Sequence, residues 1–410
     1  MVDIKDWVKQ NDFFRKKVVS KNENNELQIL LANFQGTAQK KDIEVRTKLP
    51  GDYSRVKINI KAFSEKVMQD KGGHAINFKD NFSIFRVNAE EFDMPYWAHY
   101  AMNESGDLSE IAKYNNTFCY QLKRCNLHCP WCYVDDISKD GSEKNNPDWF
   151  SISQIVDEFE KARELHAQGN GSCEGPLNNY RPSGGEPTLA VEQWLLSLRE
   201  LEKRKLDDEV FVQGDTNLTT GHFIESLEKS GTIEKHLLNK VGERNNFGLL
   251  CSFKGTDTES FLNATGMMPS EYAFLEEERW HTFEKYVKAG IDAYPFVYDP
   301  NPETLPYFLD DGANRFGDGF YLKTWILPLK LYGPEIERYA KKSRITLGDD
   351  KELRDKFKKE VQQNLDERFA QSKEVMQKIL WDKFRLNYQE ITRPRVKLNA
   401  PNFLSWFFSS

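Results

Sequence analysis

Long apolar runs are missing from this 410-residue chain. None approaches the roughly 18–20 residues a membrane helix needs. The opening Met1-Val-Asp-Ile-Lys-Asp-Trp7 lacks the pattern of a secretory leader, so the expectation is a soluble, cytoplasmic protein. Basic charge is not in excess either: 57 Lys and Arg against 64 Asp and Glu give a formal net charge of −7. That balance argues against a globally basic nucleic-acid binder. Cysteine is scarce, six in all with none after Cys251. Four fall between Cys119 and Cys132, too crowded for the disulfide framework of a secreted domain, and in a reducing compartment such crowding reads as metal binding. Cys173 and Cys251 are isolated and read as small buried hydrophobes, as does Cys119 on the strand ahead of the cluster. No internal repeat or low-complexity tract stands out.

Against that background one run is dense in chemistry, Arg124-Cys125-Asn-Leu-His128-Cys129-Pro-Trp131-Cys132-Tyr133. Three thiolates spaced Cys-x3-Cys-x2-Cys on one short loop suit three corners of a cubane iron–sulfur cluster and leave one iron open, whereas the usual cluster takes a cysteine on every iron. Zinc is the competing metal, because soft thiolates select it as readily and a structural zinc wants four closed ligands. His128 or Cys119 would complete that set. Inert buried thiols are the third reading, and the spacing alone leaves all three open.

Some fifty residues on comes Arg181-Pro-Ser-Gly184-Gly185-Glu186-Pro187-Thr-Leu189. Adjacent glycines let backbone approach a ligand closely, and a fixed carboxylate suits an ammonium group. Alone, such a run is an ordinary turn at a strand end. Together with the cysteine loop it resembles the radical S-adenosylmethionine (radical SAM) superfamily, whose signatures are a CxxxCxΦC loop with Φ aromatic, here Trp131, and a GGEP segment in this order. The resemblance implies a 4Fe-4S cluster held by Cys125, Cys129 and Cys132, with SAM chelating the open iron. It also implies that Gly184, Gly185 and Glu186 meet the methionyl ammonium and that Tyr133 lies against the adenine.

Two further strand ends extend the likeness. Val210-Phe-Val-Gln-Gly-Asp215-Thr216-Asn217 and Leu249-Leu-Cys251-Ser252-Phe253-Lys254 are similar to the Asp-Thr-Asn-Gly and Asp-Leu-Lys segments of the enzymes that activate pyruvate formate-lyase. Phe261-Leu-Asn-Ala-Thr265-Gly266 matches the helix and turn that follow in that group, and the agreement spans Asn115 to Tyr298. Asp215, Thr216, Ser252 and Lys254 are thereby candidate SAM contacts. Ser252 stands where the activases carry an aspartate that helps hold a monovalent cation, and Leu218 stands in place of the glycine.

Residues 1–112 carry neither signature and read as an α+β addition, with a helix around Ile4, Trp7 and Val8 and strand alternation at Val56, Ile58 and Ile60. Ile76 to Phe78 and Phe82 to Ile84 read as a hairpin. Across residues 113–332, strand, loop and helix repeat, the signal for parallel strands with crossover helices. Helices are expected after Ser151 or Ser153, around Trp194 to Leu201, and around Phe274 to Val287, with a last strand over Phe320 to Leu329. The fold expected is a partial (β/α)6 TIM-like barrel with strand ends converging on one mouth. Residues 333–410 form a helical extension, in which Leu353, Phe357, Val361, Leu365 and Phe369 make one amphipathic face. The aromatic run Phe403 to Phe408 is expected to dock on the barrel.

The resemblance implies an oxidoreductase chemistry in which reductive cleavage of SAM gives a 5′-deoxyadenosyl radical for hydrogen abstraction. The electron would come from a donor such as flavodoxin or ferredoxin. Protein or peptide, nucleotide and small metabolite are all open as second substrate, and the activase likeness favours the first. No base or nucleophile is required, and none of the seven histidines is nominated. His222 and His281, on expected helices, read as surface or satisfied core residues. A zinc-stabilised binding protein and a simple electron carrier are the competing classes, and both leave Gly184-Gly185-Glu186-Pro187 without a role.

Overall fold

Alternation of side chains along extended backbone decides which residues meet in this molecule. The computed structural model describes residues 2–34, 37, 59–60, 75–78, 81–88, 114–132, 134–142, 148–168, 177–329, 331, 333–348, 350–388, 391, 393 and 396–398. In chain order, helix α1 (Ile4–Arg15) leads into β1 (Val19–Lys21), β2 (Leu27–Leu30), β3 (Asn59–Ile60), β4 (Ala75–Phe78), β5 (Phe82–Asn88) and β6 (Tyr114–Leu122). Then follow β7 (Trp149–Ser151), α2 (Ile152–Gln168), β8 (Leu177–Gly184), α3 (Glu192–Lys203), β9 (Phe211–Thr216), α4 (Gly221–Lys229), α5 (Leu237–Gly242) and β10 (Phe247–Lys254). The chain continues through α6 (Thr258–Thr265), α7 (Pro269–Tyr272), α8 (Leu275–Lys288), β11 (Asp292–Tyr298), α9 (Leu305–Phe316), α10 (Gly319–Lys323), β12 (Trp325–Leu327), α11 (Gly333–Lys342) and α12 (Lys351–Phe384).

β6, β8, β9, β10, β11 and β12 lie side by side in sequence order and are all parallel. Unbroken order means that the crossovers all wind one way, as in a barrel and unlike a doubly wound sheet. The architecture is the expected open six-stranded (β/α) barrel. Beyond β6 the sheet continues antiparallel into β5, from Phe82 opposite Tyr120 to Asn88 opposite Tyr114. The expected hairpin is there, with Ile76 opposite Ile84 and Phe78 opposite Phe82. Its Phe82 ring stacks on Phe118 at 5.2 Å, which ties it to the barrel core. β1, β2 and β7 form a separate three-stranded sheet.

The two faces of the barrel sheet differ sharply. Phe118, Tyr120, Tyr180, Val212, Leu249, Cys251, Phe253 and Val297 point outward into the core beneath the helices. On the inner face, β10 to β12 present an apolar set, Leu250, Tyr294, Phe296, Trp325 and Leu327, joined by Phe211. β6, β8 and β9 present polar groups there instead. Asn179 Nδ2 donates to Thr117 Oγ1 at 3.1 Å and to Gln213 Oε1 at 2.9 Å. The interior is thus aromatic on one side and amide-lined on the other.

Helix starts follow their capping residues. Ser151 Oγ accepts from Gln154 N at 3.3 Å while Ser151 N donates to Gln154 Oε1 at 2.9 Å, a capping box that starts α2. Asp257 and Ser260 do the same for α6, which Gly266 ends in the left-handed region at φ 69°. The amphipathic stripe of α12 is a core contact: Phe357 packs against Ile336, Ala340 and Leu347, and Leu365 against Leu329 and Leu331. Leu353, at the start of that stripe, is exposed instead.

One expected element differs. Phe320 to Lys323, read as the start of the last strand, is helical, and the strand is only Trp325–Leu327. Phe320 lies over Gly312, where a Cβ would come within 2.1 Å of its ring, and it joins Phe253, Trp280, Phe283, Phe308 and Phe316. A helical turn lets this consecutive apolar run enter one cluster, which period-two alternation does not. Val56, Ile58, Cys173 and the aromatic run of 403–408 lie outside the described residues.

Candidate active site

The cysteine loop leaves the end of β6 and is held from several directions. Arg124 lies over the Phe14 ring at 3.8 Å and donates to the Asp140 carbonyl at 2.7 Å. Asn126, 1% exposed, donates through Nδ2 to Asn11 Oδ1 at 2.8 Å and to Thr219 Oγ1 at 2.9 Å, and accepts from Asn217 Nδ2 at 2.7 Å. His128 N donates to Thr265 O at 3.1 Å, so the Thr265-Gly266 turn closes directly on the loop. Gly266 is required there because a Cβ would stand 2.6 Å from His128 O. Leu127 and Cys129 are buried with Trp7, Phe261, Leu262, Met267 and Leu275. From the C-terminal side, Arg338 on α11 donates to the carbonyls of Cys132 and Val134, the latter at 2.7 Å, and pairs with Asp136 at 3.0 Å.

Cys125, Cys129 and Cys132 share one neighbourhood. Burial pushes the Cys125 thiol up to about 12, and Cys129, Glu186 and Cys132 add to the push. Burial also raises Cys129, while Lys254 opposes it. Two buried cations therefore flank the sulfurs, Lys254 and Lys139. Burial depresses Lys139, but Cys132, Cys125 and Asp136 lift it above its ordinary value overall. Cys125 Sγ also faces Leu127 N at 3.5 Å and Asn217 Nδ2 at 3.9 Å.

Among the described residues only His222, Glu225 and His281 form a trio with ligand atoms all within 4.8 Å of one another. His128 is exposed, and Cys119 is buried within β6.

Gly184 and Gly185 work through backbone packing. Gly184 has φ +115°, and a Cβ on Gly185 would fall 1.9 Å from Arg124 O and 2.8 Å from Cys125 N. The pair lets the β8 end lie flat on the start of the cysteine loop, and Glu186 N then donates to Arg124 O at 2.6 Å. The Glu186 carboxylate, 1% exposed, accepts from Asn217 N at 2.8 Å and from the Thr188 hydroxyl and N–H. Burial still raises its pKa from 4.5 to about 7, against the pull of Thr188, Asn217 and Thr216.

Across the mouth, Lys254 is buried, with Nζ 4.7 Å from the centre of the Trp131 ring and 5.5 Å from that of Tyr298. Those two rings stack at 5.1 Å. Ser252, one inward position earlier on β10, lies near the Tyr298 hydroxyl, where it opposes the burial that pushes that group up to about 12. Thr216 is buried on the outward face, and its hydroxyl accepts from Leu218 N at 3.0 Å. Asp215 meets Arg181 in a two-pronged ion pair, 2.8 and 3.0 Å, which occupies both carboxylate oxygens. Tyr133 lies outside the described residues.

The structure thus brings Cys125, Cys129, Cys132, Gly184, Gly185, Glu186 and Lys254 to one barrel mouth and sets Asp215 against Arg181. Reading the sequence missed Lys139, Arg181, Asn126, Asn217 and Arg338. Arg181, at the head of the glycine motif and on the same inner face as Asp215 of the next strand, was the one with a signal.

No protein-family model matches the chain, and no curated protein matches it. Among solved structures it is similar to Streptococcus suis SuiB bound to precursor peptide SuiA, at 14% identity over 59% of this chain and 45% of that one, with a TM-score of 0.34. It is similar to anSMEcpe with bound AdoMet at 15% identity over 51% and 48%, TM-score 0.32. TYW1 with a lysine-pyruvate adduct bound follows at 11% identity over 65% and 84%, TM-score 0.31. The chain spans about half the length of the first two. At such identities and scores the function has to be read from the residues of the site. Among the described residues no helix is long and apolar enough to cross a membrane.

Proposed function

We propose that this protein is a radical SAM enzyme, with a 4Fe-4S cluster on Cys125, Cys129 and Cys132 and SAM bound beside it. The observation that carries the reading is the joining of two motifs: the backbone of Gly185 and Glu186 rests on that of Arg124 and Cys125, so the thiol loop and the buried carboxylate form one wall. Three thiols without a fourth on the loop, N–H groups facing Cys125 and two flanking lysines fit a cluster with one open iron. When bound, the cluster supplies the electron that splits a carbon–sulfur bond of SAM to give methionine and a 5′-deoxyadenosyl radical.

The chain's own residues bind and orient. Glu186, fixed by Thr188 and Asn217, offers the methionyl ammonium a carboxylate that has already left water. A cationic partner restores its ionised form by opposing the burial that raises its pKa. Lys254, held over Trp131 and Tyr298, offers its charge to the methionyl carboxylate. Arg181 and Asp215 neutralise one another, so a monovalent cation has no call on Asp215. The amide and aromatic halves of the interior provide the wall against which a second substrate lies. We assign that substrate to the protein or peptide class, on the strength of the activase-like strand ends at Asp215-Thr216-Asn217 and Lys254. Flavodoxin or ferredoxin is the electron donor class, and the compartment is the cytoplasm.

Anaerobic reconstitution with iron and sulfide, followed by reduction with SAM present, tests the reading. A brown protein that releases 5′-deoxyadenosine, and a triple C125A/C129A/C132A variant that is colourless and releases none, are expected. A wild-type protein that carries zinc in place of iron, or equal release by the triple variant, overturns it.

A further inference from the structure

Away from the barrel mouth, two helices on the outer face present matched pairs of ligand residues. α4 carries His222 and Glu225 and α8 carries Glu278 and His281, each pair three residues apart and so on one side of its helix. The helices approach closely where Gly221 meets Thr282: Gly221 N donates to Thr282 Oγ1 at 2.9 Å, and a Cβ on Gly221 would lie 2.8 Å from that oxygen. The imidazoles of His222 and His281 stack with centres 4.0 Å apart. His281 Nε2 stands 3.0 Å from Glu225 Oε1. One ligand atom from each of His222, Glu225 and His281 falls within 4.8 Å of the other two.

An independent feature marks His222 as prepared for ligation. Its Nδ1 meets the carboxylate of Glu278, which is 2% exposed and also accepts from His222 N at 3.1 Å. A carboxylate on one ring nitrogen fixes the hydrogen there and leaves the lone pair of the other nitrogen free, the arrangement that backs metal-bound histidines. Lys285, whose Nζ lies 3.4 Å from Glu225 Oε1 and 3.9 Å from Glu228 Oε2, is the nearby cation that an incoming ion would displace toward Glu228.

We propose that His222, Glu225 and His281 bind a divalent transition-metal ion of the zinc class, with Glu278 as the buried carboxylate behind His222 and water in the fourth position. Two imidazoles and a carboxylate are a ligand set that zinc accepts, with bonds of about 2.0–2.2 Å. The ion bridges α4 to α8. It braces the segment Asn217 to Thr220 just ahead of α4, which holds Asn126 and Glu186. The site stands apart from the cysteine loop and does not depend on its occupant.

Equilibrium dialysis against zinc, with metal analysis of the full-length protein, tests this. The C125A/C129A/C132A variant, which removes the loop thiols, is expected to retain roughly one zinc per chain. Adding H222A and H281A to it should abolish retention, and adding E278Q should weaken it by roughly 10–100-fold, the usual loss when such a backing carboxylate is removed. Zinc should raise the thermal midpoint of the parent and leave that of the histidine variant unchanged. Zinc retention by the histidine variant equal to its parent, or no retention once the thiols are gone, overturns the proposal. Should the histidine variant fail to fold, zinc-edge X-ray absorption of the thiol-free parent decides: a nitrogen and oxygen shell with imidazole scattering supports the site, and its lack overturns it.

Discussion

A methyl group added to Gly185 would sit 1.9 Å from the carbonyl oxygen of Arg124, in backbone that has no room to yield. Gly185→Ala is therefore expected to part the β8 end from the cysteine loop. Overpacking of this kind costs roughly 1–3 kcal/mol or more, and iron content after anaerobic reconstitution should fall well below that of the wild type. Glu186 makes a second prediction at this scale. Its unfolded carboxyl titrates near 4.5 and its folded one at about 7, so between those values the folded protein holds the extra proton. Raising the pH through that window strips it from a buried site, and stability falls. The unfolding free energy of the cofactor-free protein, relative to Glu186→Gln, should drop by on the order of 3 kcal/mol between pH 4.5 and 7. Denaturant titrations at several pH values check this, and a flat difference would refute it. Residues at this scale were legible where their type is unusual in its setting: three close cysteines, two adjacent glycines before a glutamate. Lys139 was not, because a lone cation in a polar stretch reads as solvated surface until the fold shows what it faces.

Elements drawn from both ends of the sequence grip the cysteine loop. Trp7 of α1 is fully buried, and its indole Nε1 donates to Thr219 O at 2.7 Å. Trp7→Ala is expected to cost roughly 3–5 kcal/mol, read as a lowered denaturation midpoint. Arg338→Ala removes the donors to Cys132 O and Val134 O, which leaves two half-buried carbonyls short of a partner. The cost is roughly 1–3 kcal/mol, and iron should leave the reconstituted protein faster under chelator while the far-ultraviolet circular dichroism stays unchanged. Element types followed from pattern where period was clear, as in α12 with its four-residue apolar stripe or α2 with Ser151 or Ser153 at its start. The pattern failed at Phe320 to Lys323, where consecutive apolar residues fit a strand and a buried helical turn equally. Neither α1 nor α11 announces its target, since Trp7 and Arg338 find their partners about two hundred residues away along the chain.

At the level of the whole molecule, repeated strand and helix patterns made the single-direction winding of the barrel legible, because sequential parallel strands with short crossovers have few other arrangements. The side on which the early hairpin pairs was not, since an alternating strand carries no mark of the edge it joins. The division of the interior into amide and aromatic halves was legible only in hindsight, through every second residue of β8 to β11. Because α1, α6 and α11 all close on the same loop, ordering that loop should order them together. Hydrogen exchange is expected to slow in residues 4–15 and 333–342 in concert when iron is installed. Slowing confined to the loop itself would show that the three helices are held independently of it.

The grip of Arg338 on the Cys132 and Val134 carbonyls also sets a timetable for biosynthesis. The cysteines emerge from the ribosome about two hundred residues before the arginine that locks them in place. Until translation has passed α11, the loop lacks the contacts that Arg338 gives its Cys132 and Val134 carbonyls.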